Sequence, residues 1–545
     1  MADNRGYEDS NLRSLSEQCD NAYDNQNEEE MSKLIDTCYE QAHALNSTGM
    51  IKARHFYLAF TTQSNLIALK MRREKINDAY EDRIKALKRF ETDYQKSLYL
   101  ARNAFELLNV EIETGSATSE EEMAYLHGFL CQLNVNYANF FYTVGRFSKA
   151  VEILSVFDAE APFPMGVAQL GMKLYELSRC HYDSSHQKIM LYKAFHYIKQ
   201  AQDATTPYPE REEMQGILNY YRNSIVPMLG QDYLNKQFTI NDFLKPFGEM
   251  TDSEACYRKW VANNKLALNL LNDVFDTVEV AYDPLHLPSM VEKIESPKAK
   301  YLHGLFNQLK QEYVSARFLA YEGLTQRDTH FSDKKVYLIN TLDYPIYGLG
   351  IEKIKASYRA SYSIFDKIAF FLNEYFELKI KKKIGYVRVF SPELNADDPI
   401  KILDIAENNY PLYGMWWLFK DVRNININED GTVNRKDVYK HIDSAMSKIS
   451  RVRNDMEHGY LKVLDFFGGE ALDDNDRLDQ LAHNIGFESF EKLTLQLLNY
   501  VREAIILLVF AVKRMEDVKE SHRSPNELVS PMLTNEYDDD WKQIF

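Results

Sequence analysis

Arg453, Asn454 and His458 stand in the stretch DSAMSKISRVRNDMEHGYLKVLDF (443–466), whose apolar positions recur at helical spacing. The three side chains carry complementary chemistry. An imidazole titrates near neutrality and can take or give a proton. A guanidinium can grip a phosphate or carboxylate through two parallel hydrogen bonds. A carboxamide can orient either of them. The spacing is not distinctive by itself, because an Arg followed shortly by a His also occurs at Arg179/His186 and Arg435/His441. In a regular helix Arg453 and His458 lie about 140° apart, whereas Asn454 and His458 share a face. Arg453 reaches the pocket of the other two only through its long side chain, through a helix that starts near 453, or from a second copy across a dimer. The competing structural roles are an ion pair between Arg453 and Glu457 and a hydrogen-bonded, half-buried His458.

The elements that must position these residues are helices. The chain has 545 residues, too many for one core, with 21 Gly and 15 Pro. Such sparse punctuation predicts long helices rather than many short strands. A net charge of −17 argues against a large duplex-binding surface. Residues 351–520 are near charge balance, so a local site for nucleic acid stays open. The five cysteines are scattered, with no CxxC pair, which fits a reducing compartment and predicts no structural zinc. The amino terminus has no signal-peptide pattern, and the apolar run 504–512 is too short to span a bilayer. These features predict a cytoplasmic protein with no membrane contact, no cofactor and no metal.

In chain order, residues 1–228 read as helical, 229–295 as a punctuated helical connector, 296–520 as a second helical body and 521–545 as a polar tail. Residues 134–162 hold Ala138 and Phe141 on one helix, Gly145 at a turn, and Phe147, Ala150, Leu154 and Phe157 on the next, closed by Pro162. This resembles a tetratricopeptide repeat, with Phe157 standing where a small residue is usual. Residues 166–206 read as a second helix pair. Such repeats imply a surface that binds a protein or ligand trigger. Within the second body, helices are expected over 296–322, ended by Gly323, over 352–380, and over 489–519. The motif helix is expected to bury Ile449, Val452, Met456, Tyr460 and Val463. The aromatic run 411–419 should bury Trp416 or Trp417. Lys381, Lys382 and Lys383 form a basic loop that would attract phosphate as a substrate-binding rim. Asp366 and Asn373 are further polar candidates. The loop 426–437 has an outline of a calcium loop but lacks its first Asp and final Glu, and reads as a tight turn.

RNDMEH between two long apolar helices resembles the HEPN superfamily of α-helical bundles, whose signature is Arg, four to six residues, then His. The fold class is therefore all-α, with tetratricopeptide-like helical repeats followed by a HEPN-like helical bundle. The resemblance implies a metal-independent endoribonuclease acting on RNA as a homodimer. Arg453, Asn454 and His458 would be catalytic, in a toxin or anti-phage defence effector regulated through the repeats. The alternative is a non-catalytic dimeric adaptor that binds a protein through its repeats. Nucleotide binding through Arg453 and the basic loop is a third reading, and no Gly-rich phosphate loop supports it.

Overall fold

The computed structural model describes residues 10–44, 48–76, 80–115, 119–158, 163–204, 211–244, 247–291, 298–381, 384–390, 402–405, 408–423, 444–465, 481–524 and 537–542. Almost every element is a helix. The loop 426–437, the alternative pair Arg435/His441, Pro162, Lys382 and Lys383 lie outside the described residues.

In the N-terminal half, successive helices pack side by side. Helix Glu120–Thr143 opens on a capping box, in which Ser119 and Glu122 each satisfy the other's backbone N–H. It is followed by Phe147–Leu154 and a 3-10 turn that carries the buried Phe157. The bulk of Phe157 is matched by Gly166, where a Cβ would stand 2.6 Å from the Phe157 ring. The second predicted pair is Pro164–Cys180 with Ser184–Asp203, the latter capped by Asp183. Phe140, Phe141, Tyr142, Tyr192, Phe195 and Tyr197 are all core residues.

Gly145 has φ +88°, and a Cβ there would meet the Tyr410 carbonyl at 2.7 Å and the Gly414 nitrogen at 2.9 Å. The turn is therefore also the seat of helix Tyr410–Arg423, which belongs to the C-terminal half. This helix buries Trp416 and Trp417, and Trp417 meets Tyr94 and Phe140 edge-on. One hydrophobic core runs through both halves and the connector.

Buried charges fasten the same seam. Arg146, 1% exposed, gives Nε and Nη2 to Glu503 at 2.8 and 2.5 Å and Nη1 to Asp421 at 2.6 Å. Arg102 holds Asp421 through two bonds of 3.1 and 2.8 Å. Burial opposes the charge of Arg146, and the two carboxylates more than offset it. The neighbour of Glu503, Arg502, binds the connector at Asp273, 2.7 Å, and at the carbonyls of Ala267 and Asn269. Two consecutive residues of one helix thus hold the other two parts of the chain.

That helix, Phe487–Ser521, is long and apolar enough to cross a membrane, but 78% of its most apolar window is buried, including all of 504–512. It packs with Ala299–Thr325 and Leu349–Tyr375. Gly323 does not end its helix. It lies inside it, where a Cβ would meet the Gly350 carbonyl at 2.6 Å, so its small size serves a close helix approach. The connector helix Asp252–Asn263 is capped by Thr251, whose hydroxyl accepts from Glu254 N–H. In the tail, Trp541 is exposed and packs only on Tyr537 among the described residues.

A small sheet departs from the expected all-helical bundle. Leu461–Leu464 (β1) pairs in parallel with His483–Gly486 (β2), in register Leu461↔His483. Residues 344–346 join the other edge of β1, with Ile346 N–H donating to the Val463 carbonyl at 2.8 Å.

Candidate functional site

Helix Ser444–His458 carries the motif. Ile449 and Val452 are fully buried and face helix Leu349–Tyr375, where the buried Tyr358 donates to the Ile449 carbonyl at 3.0 Å. The helix ends at His458, Gly459 closing its last turn with an N–H on the Asp455 carbonyl at 3.1 Å, and the chain then becomes β1. Tyr460 and Val463 are therefore not part of a helical stripe. Val463 is buried from the strand, and Tyr460 is exposed.

Arg453 lies with its guanidinium 5.3 Å from the Tyr362 ring centre and gives Nη1 to Asn454 Oδ1 at 3.0 Å. Asn454 and His458 are four apart and share a face. Arg453 thus reaches Asn454, which shares its face with His458. A helix beginning near 453 is excluded, since this one begins at Ser444. The competing ion pair of Arg453 with Glu457 does not form. Glu457 pairs instead with Arg359, 3.3 Å, which also donates to the Met456 carbonyl at 3.1 Å. His458 is exposed and makes no hydrogen bond among the described residues, so it is not a satisfied structural histidine.

Sequence reasoning missed several neighbours. Asp455, inside the motif, holds His483 Nδ1 at 2.5 Å. His483 arrives from β2, with its N–H on the Tyr460 carbonyl at 2.8 Å. Lys462, nearly buried, pairs with Asp343 at 2.5 Å and keeps that carboxyl below its usual range. Tyr347 and Tyr460 meet at their hydroxyls, 3.4 Å apart, and their contact pushes the Tyr347 phenol up. No local pattern marks His483, because only the strand pairing brings it to the motif.

The other candidates fall elsewhere. Asn373 is 4% exposed and closes the turn after its helix, accepting from Ile380 N–H at 2.9 Å. Asp366 is half-buried on the same helix. Lys381 is exposed beyond that helix's C-terminal end, whereas Arg359 and Tyr362 contact the motif from its N-terminal half. About 16 residues separate Arg359 from the helix end, or ~24 Å of axial rise. The decoy histidine His186 is buried beside His181, at 5.4 Å between ring centres, and burial lowers both imidazoles. Within the motif Asn454, Glu457 and His458 are exposed. Two concavities of the described surface lie elsewhere, around His181 and Leu268 and around Arg514 and His522.

A helix-borne Arg and Asn beside an exposed imidazole can bind a phosphodiester and move protons on it. No curated protein and no solved structure matches the chain. A family model does match, over residues 294–515, which include helices Ala299–Thr325 and Leu349–Tyr375, the motif helix, the small sheet and most of helix Phe487–Ser521, and its description is LA2681-like HEPN. The C-terminal part of this chain is therefore a HEPN domain of the LA2681-like family.

Proposed function

We propose that this HEPN domain is a metal-independent endoribonuclease whose 2′-hydroxyl chemistry runs through Arg453, Asn454 and His458. The observation that carries this reading is that His458 and Asn454 are exposed on one helix face without a structural task, with Arg453 bonded to Asn454. His458 moves a proton. Arg453 neutralises charge on the phosphoryl oxygens, and Asn454 orients that guanidinium. The basic loop containing Lys381, Lys382 and Lys383 is a distal contact for the RNA backbone.

The active form is a homodimer through the HEPN domain. Its support is the exposure of Asn454 and His458 and the exposed apolar segment beside the motif. There Tyr337 is 92% and Ile339 87% exposed, a surface that a soluble protein covers with a partner. The N-terminal half, read as helical repeats, senses a protein or ligand trigger, in a toxin or anti-phage defence effector. The support for such control is the buried seam, since Arg102 and Arg146 bind the helices that flank the motif helix.

A second reading, a non-catalytic dimeric adaptor, draws support from the net charge of −17, which disfavours a polyanionic substrate. Incubation with total RNA and tRNA in EDTA separates the two. The ribonuclease cleaves, and Arg453→Ala and His458→Ala do not. The adaptor leaves RNA intact in all three while remaining a dimer in solution.

A further inference from the structure

Cleavage by a 2′-hydroxyl requires two proton transfers. One proton leaves the attacking oxygen and another reaches the departing 5′-oxygen. Each copy of the motif supplies a single imidazole, so on the endoribonuclease reading the second proton-transfer role falls either to the other copy of the motif in the homodimer or to another residue of the same protomer. We propose that His483 fills it as a catalytic residue, with Asp455 as its positioning residue.

Three restraints place His483. Its Nδ1 lies 2.5 Å from Asp455 Oδ2, its backbone N–H bonds the Tyr460 carbonyl at 2.8 Å, and its Cα pairs in register with Leu461 of β1. Asp455 precedes His458 by three residues, so the two side chains stand one turn apart, with Cβ atoms about 5–6 Å from each other. The imidazole on Asp455 and the imidazole of His458 therefore border one patch of surface.

The pair has little structural value. Its side chains are 21% and 32% exposed, and an ion pair near the surface contributes less than about 1 kcal/mol. Its chemical consequence is larger. A carboxylate that accepts from Nδ1–H fixes the tautomer of the neutral ring and leaves a lone pair on Nε2. His483 Nε2 makes no hydrogen bond among the described residues.

The step then balances. His483 Nε2 takes the proton of the 2′-hydroxyl. The 2′-oxygen forms a bond to phosphorus, and the phosphorus–5′-oxygen bond breaks. His458, protonated, gives its proton to the 5′-oxygen, while Arg453 holds a non-bridging oxygen. The products are a 2′,3′-cyclic phosphate and a 5′-hydroxyl, and solvent exchange resets both imidazoles. No co-reactant is needed.

The test uses the full chain and two readouts. In the first, diethyl pyrocarbonate modifies exposed imidazoles with and without a 2′-O-methyl oligoribonucleotide, which binds and cannot be cut, and mass spectrometry reads each site. Both His458 and His483 become protected, while His522, at the far end of the closing helix, does not. In the second, His483→Gln lowers kcat for RNA cleavage by about 100-fold with KM little changed. As the positioning control, Asp455→Ala moves the His483 proton from Nδ1 to Nε2 in 15N spectra. Protection of His458 without His483, or a His483→Gln variant that cleaves at the native rate, overturns the proposal and leaves the ribonuclease reading intact. Protection of neither, with no cleavage, removes both.

Discussion

Replacing Arg146 by methionine tests whether the two halves are held by their buried charges. The guanidinium is 1% exposed and makes two bonds to Glu503 and one to Asp421. Asp421 keeps its two bonds from Arg102 after the change. Glu503 keeps no hydrogen-bonded cation among the described residues, and it is 6% exposed. The loss therefore concentrates on one stranded carboxylate. Removing one partner of a buried pair costs about 3–5 kcal/mol, mostly as uncompensated desolvation of the other. Adding Glu503→Gln removes that charge and should recover at least about half of the loss, ~1.5–2.5 kcal/mol, and the coupling in a double-mutant cycle is this recovery plus the cost of Glu503→Gln alone. Urea unfolding followed by tryptophan fluorescence reads this directly, since Trp416 and Trp417 lie in the seam. A single-variant loss below about 1 kcal/mol, the size of an exposed pair, would refute the reasoning. A double variant no more stable than the single would refute it equally.

Three further outcomes follow from the same geometry. Gly145→Ala forces a Cβ onto the Tyr410 carbonyl and the Gly414 nitrogen at φ +88°. It should cost about 2 kcal/mol or more in thermal or urea unfolding, and a neutral change contradicts the close approach. Arg453→Lys keeps the charge but loses the planar fork over Tyr362. RNA cleavage should fall by about 10-fold or more at unchanged stability, and full activity contradicts the assigned grip. Burial pushes His181 down to about 3, with His186 and His286 adding to the effect and Asp183 opposing it. An unfolded imidazole titrates near 6.5. The folded value is the lower one, so this stability is present above about pH 6.5 and is lost as pH falls toward 3. Between pH 7 and 5 the loss is about 2 kcal/mol. His181→Asn should flatten the urea midpoint over that range, and an unchanged slope contradicts it.

The helices were legible in the sequence because their apolar positions recur three and four apart. Helix Leu349–Tyr375 buries Ile354, Tyr358, Phe365, Ile368 and Leu372, as that spacing requires. The motif's place on a helix was legible for the same reason. The strand Leu461–Leu464 was not, because three apolar residues and a lysine so soon after a helix are too few to show a period, and its partner lies beyond an acidic stretch of sequence. Gly459 was the available signal for the break. The seam was also invisible. Arg146 and Glu503 are 357 residues apart, and nothing near either one reveals a long-range partner. Gly323 misled in a related way, since a glycine reads as a turn until the backbone that approaches it is known, whereas Gly145 is the expected turn and a close approach as well. His483 belongs to the same class, a site residue delivered by a strand pairing rather than by a motif.

The chemistry of the RNA ends decides whether the motif cleaves RNA. RNA cut by the purified protein in EDTA is analysed by mass spectrometry, beside a His458→Ala preparation with the same melting temperature. The native protein should leave 2′,3′-cyclic phosphate and 5′-hydroxyl ends, and the variant should leave the RNA uncut. Cleavage that leaves 5′-phosphate ends, that needs a divalent metal, or that survives His458→Ala would contradict the proposed chemistry.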